Sequence, residues 1–178
     1  RIFPVIENQH KAGILDLSIV PARINEDIRK EAITYALKIA INLNYVGTIA
    51  VEFFLSDNKL YVNEIAPRPH NSGHFSLDAC NVSQFDQQVF ALVGENLKDI
   101  KLEKNAVMLN LLGDLWFKNG EAEEPKFDEV DDIDTNIHLY GKHAPRKGRK
   151  MGHITVVGDN VDKLIDKAEN IRSKLWKI

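Results

Sequence analysis

Two apolar, β-rich runs, residues 47–55 and 60–65, each carry one glutamate and are separated only by Ser-Asp-Asn-Lys. Runs of Val, Ile, Tyr and Phe on either side of a turn sequence read as a β-hairpin. Glu52 and Glu64 are then delivered by neighbouring strands. A carboxylate among apolar neighbours resists ionisation unless it is paired. Register decides whether the two acids meet. If Asp57-Asn58-Lys59 is a three-residue loop, Ser56 pairs with Leu60, Phe54 faces Val62 and Glu52 faces Glu64. With a two-residue loop the acids fall on opposite faces. Like charges directly opposite are destabilising, so the first register needs a cation. The chemistry favours that register: a hard cation with oxygen ligands and few protein carboxylates, as Mg²⁺ carrying phosphates would be. A half-exposed strand whose polar side happens to hold Glu is the plainer account, and it covers either acid alone better than both.

The second strand runs into A-P-R-P-H-N-S-G-H, residues 66–74. Two prolines stiffen this turn and Gly73 permits close backbone. Arg68 offers a bidentate fork for phosphate or carboxylate, while His70, Asn71, Ser72 and His74 add mixed donors and acceptors. So dense a set of functional side chains in a loop points to a site rather than to a solvated cap. A zinc site on His70 and His74 is discounted, because no cysteine lies near them in sequence.

The rest of the chain reads as an ordinary globular protein, 44% hydrophobic and 28% charged over 178 residues. That length holds one good core or two small ones. A net charge of −3 argues against a dedicated nucleic-acid binder. One cysteine, Cys80, gives no internal disulfide and reads as a small buried residue. No apolar run approaches the ~20 residues needed to cross a bilayer, so no membrane partner is expected. The chain opens on Arg-Ile-Phe-Pro, already strand-like, and is read as the C-terminal portion of a longer protein.

Strands are expected at residues 3–7 and 14–20 around a turn at Lys11-Ala12-Gly13. Asn25 is placed to cap a helix ending near Asn44, with Glu26 and Asp27 at its positive end. Ser83 and Asp86 form a capping box for a second helix that Gly94 ends, with Phe85, Val89, Phe90, Leu92 and Val93 as its buried side. Residues 95–105 are polar and mark a boundary, giving domains 1–100 and 101–178. Beyond it lie a buried strand at 106–112, an acidic solvated connection at 121–134, strands at 137–140 and 153–157, and a last amphipathic helix capped by Asp159 or Asn160. The two late strands flank a basic loop with Lys142, His143, Arg146, Lys147, Arg149 and Lys150. In an acidic chain this is a local positive field. It suits a phosphate monoester; an exposed hairpin loop is the plainer alternative, and RNA is a poor fit without an aromatic ladder. His10, at the end of the first strand, reads by itself as structural.

Several stretches together resemble one family. They are F-P-V-I-E-N-Q-H-K-A-G-I-L, I-V-P-A-R-I, V-E-F-F, V-N-E-I-A-P-R-P-H-N-S-G-H, D-A-C-N-V-S-Q-F-D-Q and H-L-Y-G-K followed by R-K-G-R-K-M-G-H. In this order, from Phe3 to about Val157, they are similar to the N5-carboxyaminoimidazole ribonucleotide synthases, ATP-grasp carboxylases of purine biosynthesis. The P-R-P-H-N-S-G-H string is the specific part; V-E-F-F alone is not. The resemblance implies an α+β fold: the second half of an ATP-grasp domain followed by a small β-rich C-terminal domain. It implies a cytoplasmic ligase that uses ATP, Mg²⁺ and bicarbonate to carboxylate 5-aminoimidazole ribonucleotide through carboxyphosphate. A homodimer is expected, with no nucleic-acid or membrane partner.

By position, the resemblance makes Glu52 and Glu64 the Mg²⁺-ATP acids and Asn63 a nucleotide contact, and it raises His10 to a site residue. Arg68, His70, Asn71 and Ser72 would surround bicarbonate, carboxyphosphate and the aminoimidazole ring. Lys142 and Arg149 would hold the ribonucleotide 5′-phosphate. One departure stands out: many ATP-grasp enzymes carry Asn two residues after the second acid, where this chain has Ala66. No third metal ligand is therefore assigned. The family's adenine pocket and lid precede the stretches matched here, so the chain alone is expected not to turn over ATP. The rivals are another ATP-grasp ligase, such as a formate-dependent transformylase or a biotin carboxylase, and a non-catalytic module on the same scaffold.

Overall fold

A computed structural model describes residues 1–118, 121–130 and 132–176. The chain forms two compact units, Arg1–Glu7 with Pro21–Glu103 and Asn8–Val20 with Lys104–Ile178.

In the first unit, helix α1 (Glu26–Asn42) begins at the expected cap. The Asn25 side chain accepts from the Ile28 N–H at 2.9 Å, and Glu26 and Asp27 fill the first turn. The helix buries Ile28 and Ala32 and packs against the hairpin β3 (Ala50–Ser56) and β4 (Lys59–Ala66). Tyr35 meets Phe53 with ring centroids 6.3 Å apart.

The hairpin corrects the expected loop. Ser56 pairs with Lys59, so only Asp57 and Asn58 turn the chain, both left-handed at φ 50° and 57°. Two successive left-handed residues make the turn that matches strand twist, and Asp and Asn tolerate that conformation best after Gly. A plain ladder from this turn would put the acids on opposite faces. A β-bulge prevents it: Phe53 pairs with Val62 but Glu52 pairs with Glu64, leaving Asn63 as the extra residue. The acids face each other by a route other than the three-residue loop.

After β4 come a 3₁₀ turn (Asn71–Phe75), helix α2 (Ser76–Ala79) and helix α3 (Gln84–Val93). The Ser83–Asp86 capping box forms, and Gly94 closes α3 at φ 76°. The face of α3 is the reverse of the expectation. Phe85, Val89, Leu92 and Val93 are exposed, whereas Gln84 and Gln87 are buried. The reason is hydrogen bonding. The Gln87 amide spans the Lys98 backbone, donating to its carbonyl at 2.7 Å and accepting from its N–H at 3.2 Å. Buried loop backbone must be satisfied, and the two glutamines do this for the segments around α3.

The second unit is a five-stranded sheet in the order β1-β2-β5-β9-β8. Its strands are β1 (Glu7–Lys11), β2 (Ile14–Val20), β5 (Asn105–Leu112), β8 (Thr135–Leu139) and β9 (Lys150–Gly158). The first strand therefore starts where it was expected to end. Pro4 offers no ladder donor, and pairing is set instead by the tight turn at Ala12 and Gly13, φ 49° and 75°. Helix α4 (Val161–Trp176) packs on β2, β5 and β9 around Leu17, Leu109, Ile154, Val156, Leu164 and Ile171. The Asn160 side chain caps it, accepting from the Lys163 N–H at 3.0 Å. The acidic segment is not merely a solvated connection. It pairs β7 (Glu121–Ala122) with β6 (Phe117–Lys118), and a 3₁₀ turn at Phe127–Glu129 lays Phe127 and Val130 on the core. Their i, i+3 spacing eclipses in such a turn. Among the described residues no helix is long and apolar enough to cross a membrane.

Candidate functional site

The paired acids sit differently in their strands. Glu52 is largely buried, with 15% of its side chain exposed, whereas Glu64 lies on exposed strand. Two carboxylates held opposite each other suit a hard divalent cation, which would cancel their repulsion. The donor set fits Mg²⁺, which Glu52 and Glu64 could hold between their strands. Asn63, the bulged residue between them in register, is exposed.

His70 connects this pair to the turn. Its Nδ1 lies 3.8 Å from Glu52 Oε1 and 2.8 Å from Ser72 Oγ. The same nitrogen accepts from the Ser72 N–H at 3.4 Å, so the ring caps the 3₁₀ turn. A capping nitrogen carries a lone pair, which assigns the hydrogen of the neutral ring to Nε2. Arg68 is exposed, and its guanidinium donates to the Pro69 carbonyl at 3.0 Å. Asn71 and Ser72 are buried, and among the described residues neither amide atom of Asn71 has a hydrogen-bond partner. An uncompensated buried amide costs free energy, so Asn71 is a polar group in want of a ligand.

Of the expected site residues, Glu52, Asn63, Glu64, Arg68, His70, Asn71 and Ser72 belong to the first unit, and His10, Lys142 and Arg149 to the second. His10 is exposed on β1. Lys142 donates to the Lys150 carbonyl at 2.6 Å and lies 5.3 Å from the Tyr140 ring centroid. Arg149 donates to the Ala144 carbonyl at 2.6 Å. Backbone fixes the basic loop to the end of β5: the Gly113 N–H donates to Arg149 O and the Gly148 N–H to Asp114 Oδ2, both at 2.7 Å. A cleft of about 330 Å³ beside the loop is lined by Trp116, Leu139, Lys142, His143 and Met151 among others.

Two polar features fall outside the sequence reading. Tyr140 donates to or accepts from His153 Nδ1 at 2.9 Å, and burial pushes its hydroxyl up to about 12. Gln84, buried at the start of α3, bonds the backbone of His70. A polar residue on a helix otherwise rich in apolar positions was the only clue to it.

Comparison with known proteins agrees with this architecture. An ATP-grasp domain model matches residues 1–85, and a phosphoribosylaminoimidazole carboxylase C-terminal domain model matches residues 106–167. The N5-carboxyaminoimidazole ribonucleotide synthase of Staphylococcus haemolyticus is 48% identical over 162 residues, covering 90% of this chain and 41% of that protein. The Bacillus subtilis synthase is 46% identical over 172 residues, 94% of this chain and 43% of that protein. A crystal structure of an N5-carboxyaminoimidazole ribonucleotide synthetase with ADP aligns at TM-score 0.89 and 42% identity, over 99% of this chain and 45% of that one. The Aspergillus clavatus synthase in complex with ADP and 5-aminoimidazole ribonucleotide aligns at TM-score 0.85 and 30% identity, over 97% and 47%. The chain thus spans about two-fifths of the length of the curated relatives it matches. With an ATP-grasp portion, the carboxylase C-terminal domain and this level of identity, the chain belongs to the N5-carboxyaminoimidazole ribonucleotide synthase family and matches the C-terminal portion of its members.

Proposed function

We propose that the protein carrying this chain is an ATP-dependent carbon–nitrogen ligase that carboxylates 5-aminoimidazole ribonucleotide with bicarbonate, in de novo purine biosynthesis. The observation that carries this reading is the Glu52–Glu64 pair, brought face to face by the Asn63 bulge with His70 against it. The relatives' names and their complexes with ADP and 5-aminoimidazole ribonucleotide support the substrates. The reading keeps the division into residues 1–100, an ATP-grasp half, and 101–178, a C-terminal domain; the two family models support it. A cytoplasmic homodimer belongs to the same reading.

Bound between Glu52 and Glu64, Mg²⁺ would neutralise charge on the transferring phosphoryl group. Asn63 and His10 contribute nucleotide contacts. A bicarbonate oxygen attacks the γ-phosphorus, the bond to the β-phosphate oxygen breaks, and ADP leaves with carboxyphosphate formed. Arg68 holds the anion by charge-assisted hydrogen bonds. The Nε2–H of His70 and the Asn71 amide supply further neutral donors, while the Ser72 hydroxyl, donating to His70 Nδ1, orients the ring and keeps its oxygen lone pairs for the ribonucleotide amine. Carboxyphosphate releases CO₂ and phosphate. The exocyclic amine of the ribonucleotide attacks the carbon and loses a proton, giving the N5-carbamate. Lys142 and Arg149 fix the 5′-phosphate, so the amine is presented rather than left to diffuse.

ADP release by the intact parent protein, with Mg²⁺-ATP and bicarbonate, tests this. Strong dependence on 5-aminoimidazole ribonucleotide is expected; independence from it moves the function to another ATP-grasp ligase or to a module without chemistry. The isolated chain should release no ADP.

A further inference from the structure

The capping box of α3 does more than start a helix. It fixes Gln84 at the first helical position, only 2% exposed. The Gln84 backbone is held at both ends: its N–H donates to Ser76 Oγ at 2.9 Å, and its carbonyl accepts from Thr48 Oγ1 at 3.0 Å. From this anchored base the side chain reaches back across the turn. Its Oε1 accepts from the His70 N–H at 2.8 Å, and its Nε2 donates to the His70 carbonyl at 2.8 Å. A third bond joins Nε2 to His74 Nδ1 at 3.0 Å.

The orientation of this amide is unambiguous. A backbone N–H only donates and a backbone carbonyl only accepts, so a flipped amide would oppose both. The Nε2 hydrogens then make Nδ1 of His74 an acceptor. Two bonds to one residue's N–H and C=O copy the two-point pairing of an antiparallel ladder. They fix both peptide planes of His70 and hence its Cα–Cβ direction, from which the Ser72 contacts hold the ring with Nδ1 3.8 Å from Glu52 Oε1.

Gly73 supplies independent support. A Cβ there would overlap Gln84 Oε1 and lie 2.7 Å from Gln84 Cδ. Gly73 stands within the 3₁₀ turn and is not among the left-handed glycines. Its backbone would accept alanine. The space occupied by the Gln84 amide is what demands glycine in the H-N-S-G-H string.

We propose that Gln84 is a positioning residue for the reaction, holding His70 through its backbone and His74 through its ring Nδ1, with Gly73 making room for its amide. The inference rests on the reading that the 68–72 segment contacts the reactants. It is tested in the intact parent protein by steady-state ribonucleotide-dependent ADP release together with thermal melting. The set is His70→Asn, Gln84→Glu, Gln84→Ser, Gly73→Ala and the Gly73→Ala/Gln84→Ser pair. Misplacing a reacting group by ~1 Å costs about 100-fold. Gln84→Glu and Gln84→Ser should each lower kcat about 10- to 100-fold, with the KM for ATP within about threefold. Gly73→Ala should lower both melting temperature and kcat. Adding Gln84→Ser to it should bring the melting temperature to that of Gln84→Ser alone, because the overlap is gone, but should not restore kcat, because the clamp is gone too. Recovery of kcat along with the melting temperature would reduce Gln84 to a packing residue and overturn the proposal. So would unchanged kcat in folded Gln84 variants while His70→Asn is impaired. If His70→Asn itself keeps full kcat, the site reading fails, and this proposal with it.

Discussion

Replacing Glu64 by Gln should make the ligand-free protein more stable and the ligand-loaded protein less so. Glu64 stands opposite Glu52 across the ladder. Cross-strand partners have Cβ atoms ~5 Å apart. Carboxylates ~6 Å apart in an effective dielectric of ~40–80 repel by about 0.7–1.4 kcal/mol. Glu64 is exposed, so screening lowers the net figure to about 0.5 kcal/mol. Glutamine keeps the shape and removes the charge, so the variant should gain that amount. Mg²⁺-ATP at ~100 times its Kd should then stabilise the unmodified protein by about 2.7 kcal/mol. The variant, lacking one metal carboxylate, should gain little. Urea denaturation of the intact parent protein, with and without Mg²⁺-ATP, reads both effects, and the two curves should cross in order. A ligand-free variant less stable than the parent would show that the acids do not repel in the folded state. Equal stabilisation by Mg²⁺-ATP would show that Glu64 does not bind the metal. Either result refutes the reasoning from the pair.

Burial, and secondarily Glu103, push the Cys80 thiol up to about 11. At pH 8 its thiolate fraction should be on the order of 0.001, so iodoacetamide should label it at least ~100-fold more slowly in the native than in the urea-unfolded chain. The Ser83 side-chain and backbone hydrogen bonds hold the Asp86 carboxyl below its ordinary value. A depressed acid contributes stability above its unfolded pKa, which is lost as pH falls through the folded one. Ser83→Ala should therefore cost about 1 kcal/mol at pH 7 and flatten the loss of stability below pH 4, as read by urea denaturation across that range. A Cβ at Gly113 would overlap the Arg146 carbonyl and lie 2.8 Å from the Arg146 nitrogen. Gly113→Ala should displace the basic loop and raise the KM for the ribonucleotide at least about tenfold, leaving stabilisation by Mg²⁺-ATP intact.

What the sequence disclosed lay within one helical turn or one strand. The Asn25 cap, the Ser83–Asp86 box and the Gly94 stop are contacts between residues three or four apart, so spacing alone specifies them. The face of α3 was misread because periodicity counts apolar residues and ignores what a backbone elsewhere requires. Gln84 serves His70, fourteen positions away, and Gln87 serves Lys98, eleven away. Both amides answer carbonyls and N–H groups whose location depends on the fold. Phe127 and Val130 were missed for a related reason. Eight acidic residues across 121–134 set the average character of the segment, while a single 3₁₀ turn directs two side chains to the core.

The hairpin shows why a correct pairing can be reached through a wrong loop. Chemistry demanded that Glu52 and Glu64 meet, and side-chain alternation allowed this with a three-residue loop. Asp57 and Asn58, each at ease with positive φ, make the shorter turn the better connection. That turn alone would separate the acids. One inserted residue, Asn63, reverses the parity of the strand after the turn has set it, and does so next to Glu64. Local preference therefore governs the tip, and the bulge re-aims the functional side chain where the strands carry the site. Nothing in residues 56–59 encodes the bulge. It arises because Phe53 and Val62 pair in the register set by the turn while Ala50 and Ala66 pair in the register set by the base. The single-residue difference between those registers has to be absorbed somewhere in between. Absorbing it at Asn63, an exposed position, costs no buried side chain its packing, and it leaves the two carboxylates in the geometry that a cation relieves.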